Sequence, residues 1–182
     1  MKMYLALIAT AFTLSACGGN EPAQTQPAAQ PAPVAASPVA AASESNAPSA
    51  TNVPSECQIV INSDDAMKFD TQEIAIKSSC AQASITLNHT GKTPKAAMGH
   101  NVVIAAAADK AAIVADGASA KLENDYLKPN DNRVIAASKM VGGGESSTFT
   151  FKTDKLKNGD FEFFCTFPGH VAMMTGKVKI VD

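Results

Sequence analysis

From Ser55 to Asp182 apolar and polar residues alternate in short runs. Gln58–Ile61, Glu73–Lys77 and Ser84–Asn88 come first, then Asn101–Ile104, Arg133–Ala136 and Ser147–Lys152. Asp160–Cys165 and Gly176–Val181 end the chain. Each run sends its large apolar side chains to one face and its polar ones to the other, the period of a half-buried strand. Gly, Asn, Asp and Pro separate the runs. So many short strands in 128 residues predict an all-β domain, a sandwich or barrel. Ala105–Ala120 breaks the alternation. It is rich in Ala, a strong helix former, and predicts one short helical insertion from about Asp109 to Ala115.

The first third of the chain has a different pattern. Lys2 precedes an apolar run from Tyr4 to Leu14, followed by the small residues Ser15 and Ala16, so residues 1–16 read as an export signal. Leu14-Ser15-Ala16-Cys17 resembles the lipobox of bacterial lipoproteins. That resemblance implies acylation of Cys17, and the absence of Asp after it favours the outer membrane. Gly18–Pro54 is 37 residues long, with 11 Ala, 7 Pro and only two charges, Glu21 and Glu44. Pro every few residues forbids a continuous helix, and there is too little apolar bulk for a core. Residues 17–54 are therefore expected to be a lipidated Cys and a disordered tether, about 35 Å in mean span as a coil. Residues 55–182 are the expected folded domain.

Composition narrows the function. The domain carries 14 Lys and Arg against 15 Asp and Glu, with no basic stripe, which excludes nucleic acid as a partner. The longest apolar run is too short to span a bilayer. With Cys17 assigned to lipid, three cysteines remain. Cys57 and Cys80, 23 residues apart in an exported chain, can form a disulfide, and either could instead pair with Cys165.

Cys165 has a more specific setting. Cys165-Thr166-Phe167-Pro168-Gly169-His170-Val171-Ala172-Met173-Met174 places a thiol, an imidazole and two thioethers in one loop. Two histidines and a cysteine in a plane, with a weak axial methionine, select copper and make a blue electron-transfer site. The loop has one His, so the second must come from elsewhere; Gly99-His100-Asn101 supplies it.

From Glu56 to Val181 the chain resembles the azurins, members of the cupredoxin family. The resemblance is carried by Asn88-His89, Met98-Gly99-His100-Asn101, Asp125-Tyr126-Leu127-Lys128-Pro129, Arg133-Val134-Ile135-Ala136 and Phe163-Phe164-Cys165-Thr166-Phe167-Pro168-Gly169-His170. It implies a Greek-key β-sandwich and one type 1 copper ion. His100, Cys165 and His170 would be the strong ligands. The Gly99 carbonyl and a methionine would be the weak ones; family spacing prefers Met174 to Met173. Backbone N–H groups of Asn101 and Phe167 would hydrogen-bond the Cys165 sulfur. His89 would lie near the copper as a partly buried, non-ligating residue. Cys57 and Cys80 match the family disulfide. The chain departs from the family in having no Trp, with Val102 after Asn101, and in Thr93 and Ala118.

The resemblance also implies what the site does. Protein ligands would fill the coordination sphere, so the expected role is a one-electron carrier, not an enzyme. An apolar patch would surround the edge of His170, formed by Met67, Ala97 and Met98 from one part of the chain. Phe167, Pro168, Gly169, Ala172 and Met173 would complete it. Implied partners are a c-type cytochrome as donor and a nitrite reductase or cytochrome peroxidase as acceptor. Acylated Cys17 would hold the domain on the outer membrane, in the periplasm or at the cell surface. A copper buffer, a structural zinc site and a surface adhesin are the rival readings; a closed mixed-ligand site suits none of them as well.

Overall fold

Nine strands form two sheets in the computed structural model, which describes residues 53–182. The expected signal, Cys17 and the tether as far as residue 52 lie outside the described residues. The first sheet contains β1 (Gln58–Asp64), β2 (Lys68–Phe69), β4 (Gln82–His89) and β7 (Ser146–Lys152), in the order β2-β1-β4-β7. The second contains β3 (Glu73–Lys77), β5 (Val103–Ala106), β6 (Val134–Ala137), β8 (Phe161–Phe164) and β9 (Thr175–Val181), in the order β3-β9-β8-β5-β6. β1 runs parallel to β4, with Ile61 opposite Leu87, and β3 parallel to β9. All other pairings are antiparallel. This is the expected Greek-key β-sandwich.

The alternation read from the sequence is the alternation of burial. In β3, Ile74 and Ile76 are buried while Glu73, Ala75 and Lys77 are exposed. Ile61, Ile85 and Leu87 of the first sheet meet Ile74, Ile104 and Phe163 of the second in one core. Burying a side chain of this size stabilises the fold by roughly 1.5–3 kcal/mol. A smaller cluster of Val103, Ala105, Ile113 and Phe164 fills the space between the second sheet and the long helix.

Among the described residues there are two α-helices: α1, the four residues Lys95–Met98, and α2, Lys110–Ala120. The predicted insertion is α2, but it continues five residues past Ala115. Gly117 lies inside the helix, where a Cβ would collide with the Tyr126 carbonyl oxygen. Lys110 at the start of α2 pairs with Glu162 of β8, and Asp116 pairs with Arg133, which also holds Asp131. These pairs fasten the helix to the sheet side of the molecule.

Cys57 and Cys80 are joined, with their Cα atoms 5.8 Å apart, and tie the turn before β1 to the turn before β4. Cys165 is free and buried. β4 runs from the disulfide end to His89, and β8 ends immediately before Cys165. His89, His100 and Cys165 are thereby gathered at the opposite end of the sandwich.

Candidate metal centre

β8 delivers Cys165 at its end, and the following loop turns back on itself. The His170 N–H donates to the Phe167 carbonyl, the Met174 N–H to the His170 carbonyl and the Cys165 N–H to the Met174 carbonyl. Gly169 sits at φ +85° in this turn, a conformation that disfavours any side chain although nothing would clash with one. His100 comes from the segment between α1 and β5. It is held by a reciprocal pair of backbone hydrogen bonds with Val141. β5 begins only at Val103, so the expected strand start at Asn101 is used for the site instead of the ladder.

His100 Nδ1, Cys165 Sγ and His170 Nδ1 converge. The two nitrogens are 3.2 Å apart, the sulfur is 3.8 Å from His170 Nδ1, and all three atoms lie within 4.8 Å of one another. The three residues are buried, at 0%, 0% and 4% exposure. His100 Nε2 lies 2.9 Å from the Asp64 carbonyl oxygen. A carbonyl only accepts, so the proton is on Nε2 and Nδ1 presents a lone pair to the centre. Burial pushes the pKa of both histidines down, that of His170 to about 4, and pushes the Cys165 thiol up to about 11. The imidazoles are therefore neutral and ready to donate, while a cation must displace the thiol proton on binding. Two imidazole nitrogens and one sulfur within reach of a single small ion are a donor set that fits copper.

The adjacent methionines are separated by orientation. Met174 is 0% exposed and Met173 is 67% exposed, so only Met174 is turned inward. Gly99 has no room for a side chain; a Cβ would lie 2.6 Å from the Lys95 carbonyl oxygen and 2.8 Å from Met140 Cγ. Backbone N–H groups of Asn101 and Phe167 hydrogen-bond the Cys165 sulfur and lower its pKa against the effect of burial.

His89 is buried outright, at 2% exposure, where partial burial was expected. Its ring stacks on His100 with centroids 4.5 Å apart. Its Nε2 donates to the Met98 carbonyl at 2.9 Å, and its Nδ1 accepts from the Gly91 N–H at 3.1 Å. Both ring nitrogens are taken, which leaves none for a metal.

The residues of the expected patch are at the surface. Ala97, Pro168, Gly169, Ala172, Met67 and Met173 are exposed; Met98 and Phe167 are half-buried. The Phe167 ring lies 4.5 Å from that of His170. Val102 is wholly buried and Ala118 is exposed on α2. Sequence reasoning missed Asp64, Thr166 and Asp125. Asp64 acts through its backbone carbonyl, which no residue type signals. The Thr166 N–H donates to Asn101 Oδ1 at 2.9 Å, and Asn101 Nδ2 donates to Thr166 Oγ1 at 2.8 Å.

Known proteins agree with this centre. Residues 55–181 match the family described as copper binding proteins, plastocyanin/azurin family. Outer membrane protein H.8 of Neisseria meningitidis serogroup C is 53% identical over 186 residues, covering 100% of both chains. The azurin of Alcaligenes faecalis is 47% identical over 125 residues, 68% of this chain and 98% of its own. The azurin of Pseudomonas aeruginosa is 47% identical over 126 residues, 69% of this chain and 85% of its own. A buried His-Cys-His cluster at the end of a Greek-key sandwich and a match across the whole folded domain have one meaning: the chain belongs to the plastocyanin/azurin family of copper-binding proteins.

Proposed function

We propose that this protein is a lipid-tethered, type 1 copper electron carrier. The observation that carries the reading is the convergence of His100 Nδ1, Cys165 Sγ and His170 Nδ1 in a buried pocket with Met174 turned inward. When bound, copper supplies a one-electron couple between Cu(II) and Cu(I). His100, Cys165 and His170 would hold it, with Met174 and the Gly99 carbonyl as weaker ligands.

The chain's own residues do the rest. Burial keeps water from the site. The Asp64 carbonyl fixes the tautomer and orientation of His100. The Asn101 and Phe167 N–H groups draw electron density from the sulfur. Ligands held by hydrogen bonds to backbone move little when the charge changes, which suits fast electron transfer and leaves no position open for a substrate. The exposed apolar residues around His170 form the docking patch. A small patch of this kind suits a brief encounter with a c-type cytochrome as donor and a nitrite reductase or cytochrome peroxidase as acceptor. Among the described residues no helix is long and apolar enough to cross a membrane. Acylated Cys17, expected from the lipobox-like Leu14-Ser15-Ala16-Cys17, anchors the protein to the outer membrane, with residues 1–16 removed and 18–54 as the tether. Full-length similarity to Neisseria proteins named for the outer membrane supports this location.

Adding Cu(II) to the purified protein tests the core of the proposal. An intense visible sulfur-to-copper band is expected, lost in Cys165→Ser with the β-fold retained. A Cys165→Ser protein that keeps the band overturns the ligand set. Cys17→Ala is expected to move the protein from the membrane fraction to the soluble one.

A further inference from the structure

Asp125 and Tyr126 are consecutive non-glycine residues at positive φ, +55° and +51°. That conformation is uncommon for one such residue and rarer for two in a row. It persists only where surrounding contacts hold it. Here the turn is fixed by the Asp125 N–H donating to the Leu122 carbonyl and the Tyr126 N–H to the Lys121 carbonyl. Gly117 of α2 gives the Tyr126 carbonyl the space it occupies.

The turn touches the metal centre from two sides. The Asp125 carbonyl accepts from Asn101 Nδ2 at 3.0 Å and from Thr166 Oγ1 at 3.3 Å. The Tyr126 ring meets Phe167 edge-on, with centroids 5.2 Å apart. Asn101 and Phe167 are the two residues whose backbone N–H groups bond the Cys165 sulfur. The Asp125 carboxylate adds a third hold, accepting the Met140 N–H at 2.9 Å, and the Met140 side chain closes against Gly99.

We propose that the Asp125–Tyr126 turn is a positioning element for the Cys165 sulfur, bracing both backbone donors and so setting how much electron density the thiolate keeps. The inference rests on the copper reading for its redox consequence, though not for the bracing itself. Weaker N–H bonds leave more density on sulfur, which favours Cu(II) and lowers the reduction potential.

Two measurements test it. In protein without copper, Asp125→Ala is expected to speed amide exchange at Asn101 and Phe167 at least tenfold, with Ile74 and Ile85 unchanged within twofold. In copper-loaded protein, the same variant shifts the one-electron equilibrium at least threefold toward the oxidised form. Asp125→Asn keeps a side-chain oxygen and tolerates the left-handed turn, so it should match the parent in both measurements. Unchanged exchange at both amides in Asp125→Ala, or an Asp125→Asn as altered as the alanine variant, overturns the proposal. Should Asp125→Ala not fold, Tyr126→Leu carries the exchange test at Phe167, and no acceleration there overturns it equally. A parent that takes up copper without the sulfur-to-copper band defeats the ligand reading, while the exchange experiment still decides the bracing.

Discussion

Met173 and Met174 are neighbours in the chain and face opposite ways, one 67% exposed and the other sealed in the core at 0%. One peptide step separates the surface of the docking patch from the interior of the metal centre. The two side chains should therefore answer to different measurements.

Met174→Leu removes a soft donor but keeps the volume. It is expected to raise the reduction potential, because losing the weak fourth donor leaves a more apolar, lower-coordinate site that penalises the more highly charged Cu(II), while the visible band persists. Met173→Lys should leave potential and spectrum unchanged and slow electron self-exchange about tenfold or more, since an ammonium must be desolvated against a second apolar patch. Stopped-flow rates and voltammetry on the two variants separate these effects.

The Cys57–Cys80 bridge lies at the far end of β4 from His89. Replacing both cysteines with Ala should cost about 3 kcal/mol of stability, measured by denaturant unfolding. The copper spectrum should not change, because seven strand residues, ~23 Å, lie between the bridge and the site.

Glu162 predicts a pH dependence. Lys110 chiefly, and Lys177 with it, hold its carboxyl below the ordinary value of 4.5. A lowered carboxylate contributes stability above its unfolded pKa, and the contribution is lost as the pH falls through the folded one. Glu162→Gln should lower stability by about 2 kcal/mol at neutral pH. It should also flatten the decline below about pH 4.5, so that variant and parent converge in acid. Thermal unfolding across pH 3–7, an interval chosen to bracket about 4 as the ordinary carboxylate range, would show it.

Gly117→Ala reverses a rule. In an exposed helix interior the change stabilises by about 1 kcal/mol. Here the new methyl meets the Tyr126 carbonyl, and a loss of about 1–3 kcal/mol is expected by denaturant unfolding.

Much of this fold was legible because strand periodicity is local. Glu73–Lys77 was read to the residue, and seven other strands were found with shifted ends. β2 was missed because two residues carry no period. The end of α2 was not legible, because its last turn is set by the packing of Gly117 against the Tyr126 carbonyl, a contact made only in the fold. At the site, Cys165, His170 and Met174 stood out because they share one loop. The depth of His89 did not, because its burial comes from stacking on His100 across the fold. The role of Asp125 was not legible: it is played by a backbone carbonyl that meets Asn101 and Thr166 only in the folded chain.

Tyr126 has one more consequence. Within residues 55–182 it is the single tyrosine, and there is no tryptophan. Excited at wavelengths that tyrosine absorbs and phenylalanine does not, the folded domain thus emits from one ring, set edge-on to Phe167 beside the His-Cys-His cluster. The protein carries its own probe, placed where copper arrives. Quenching of that one fluorophore would follow metal uptake, and its recovery would follow release, with no label added.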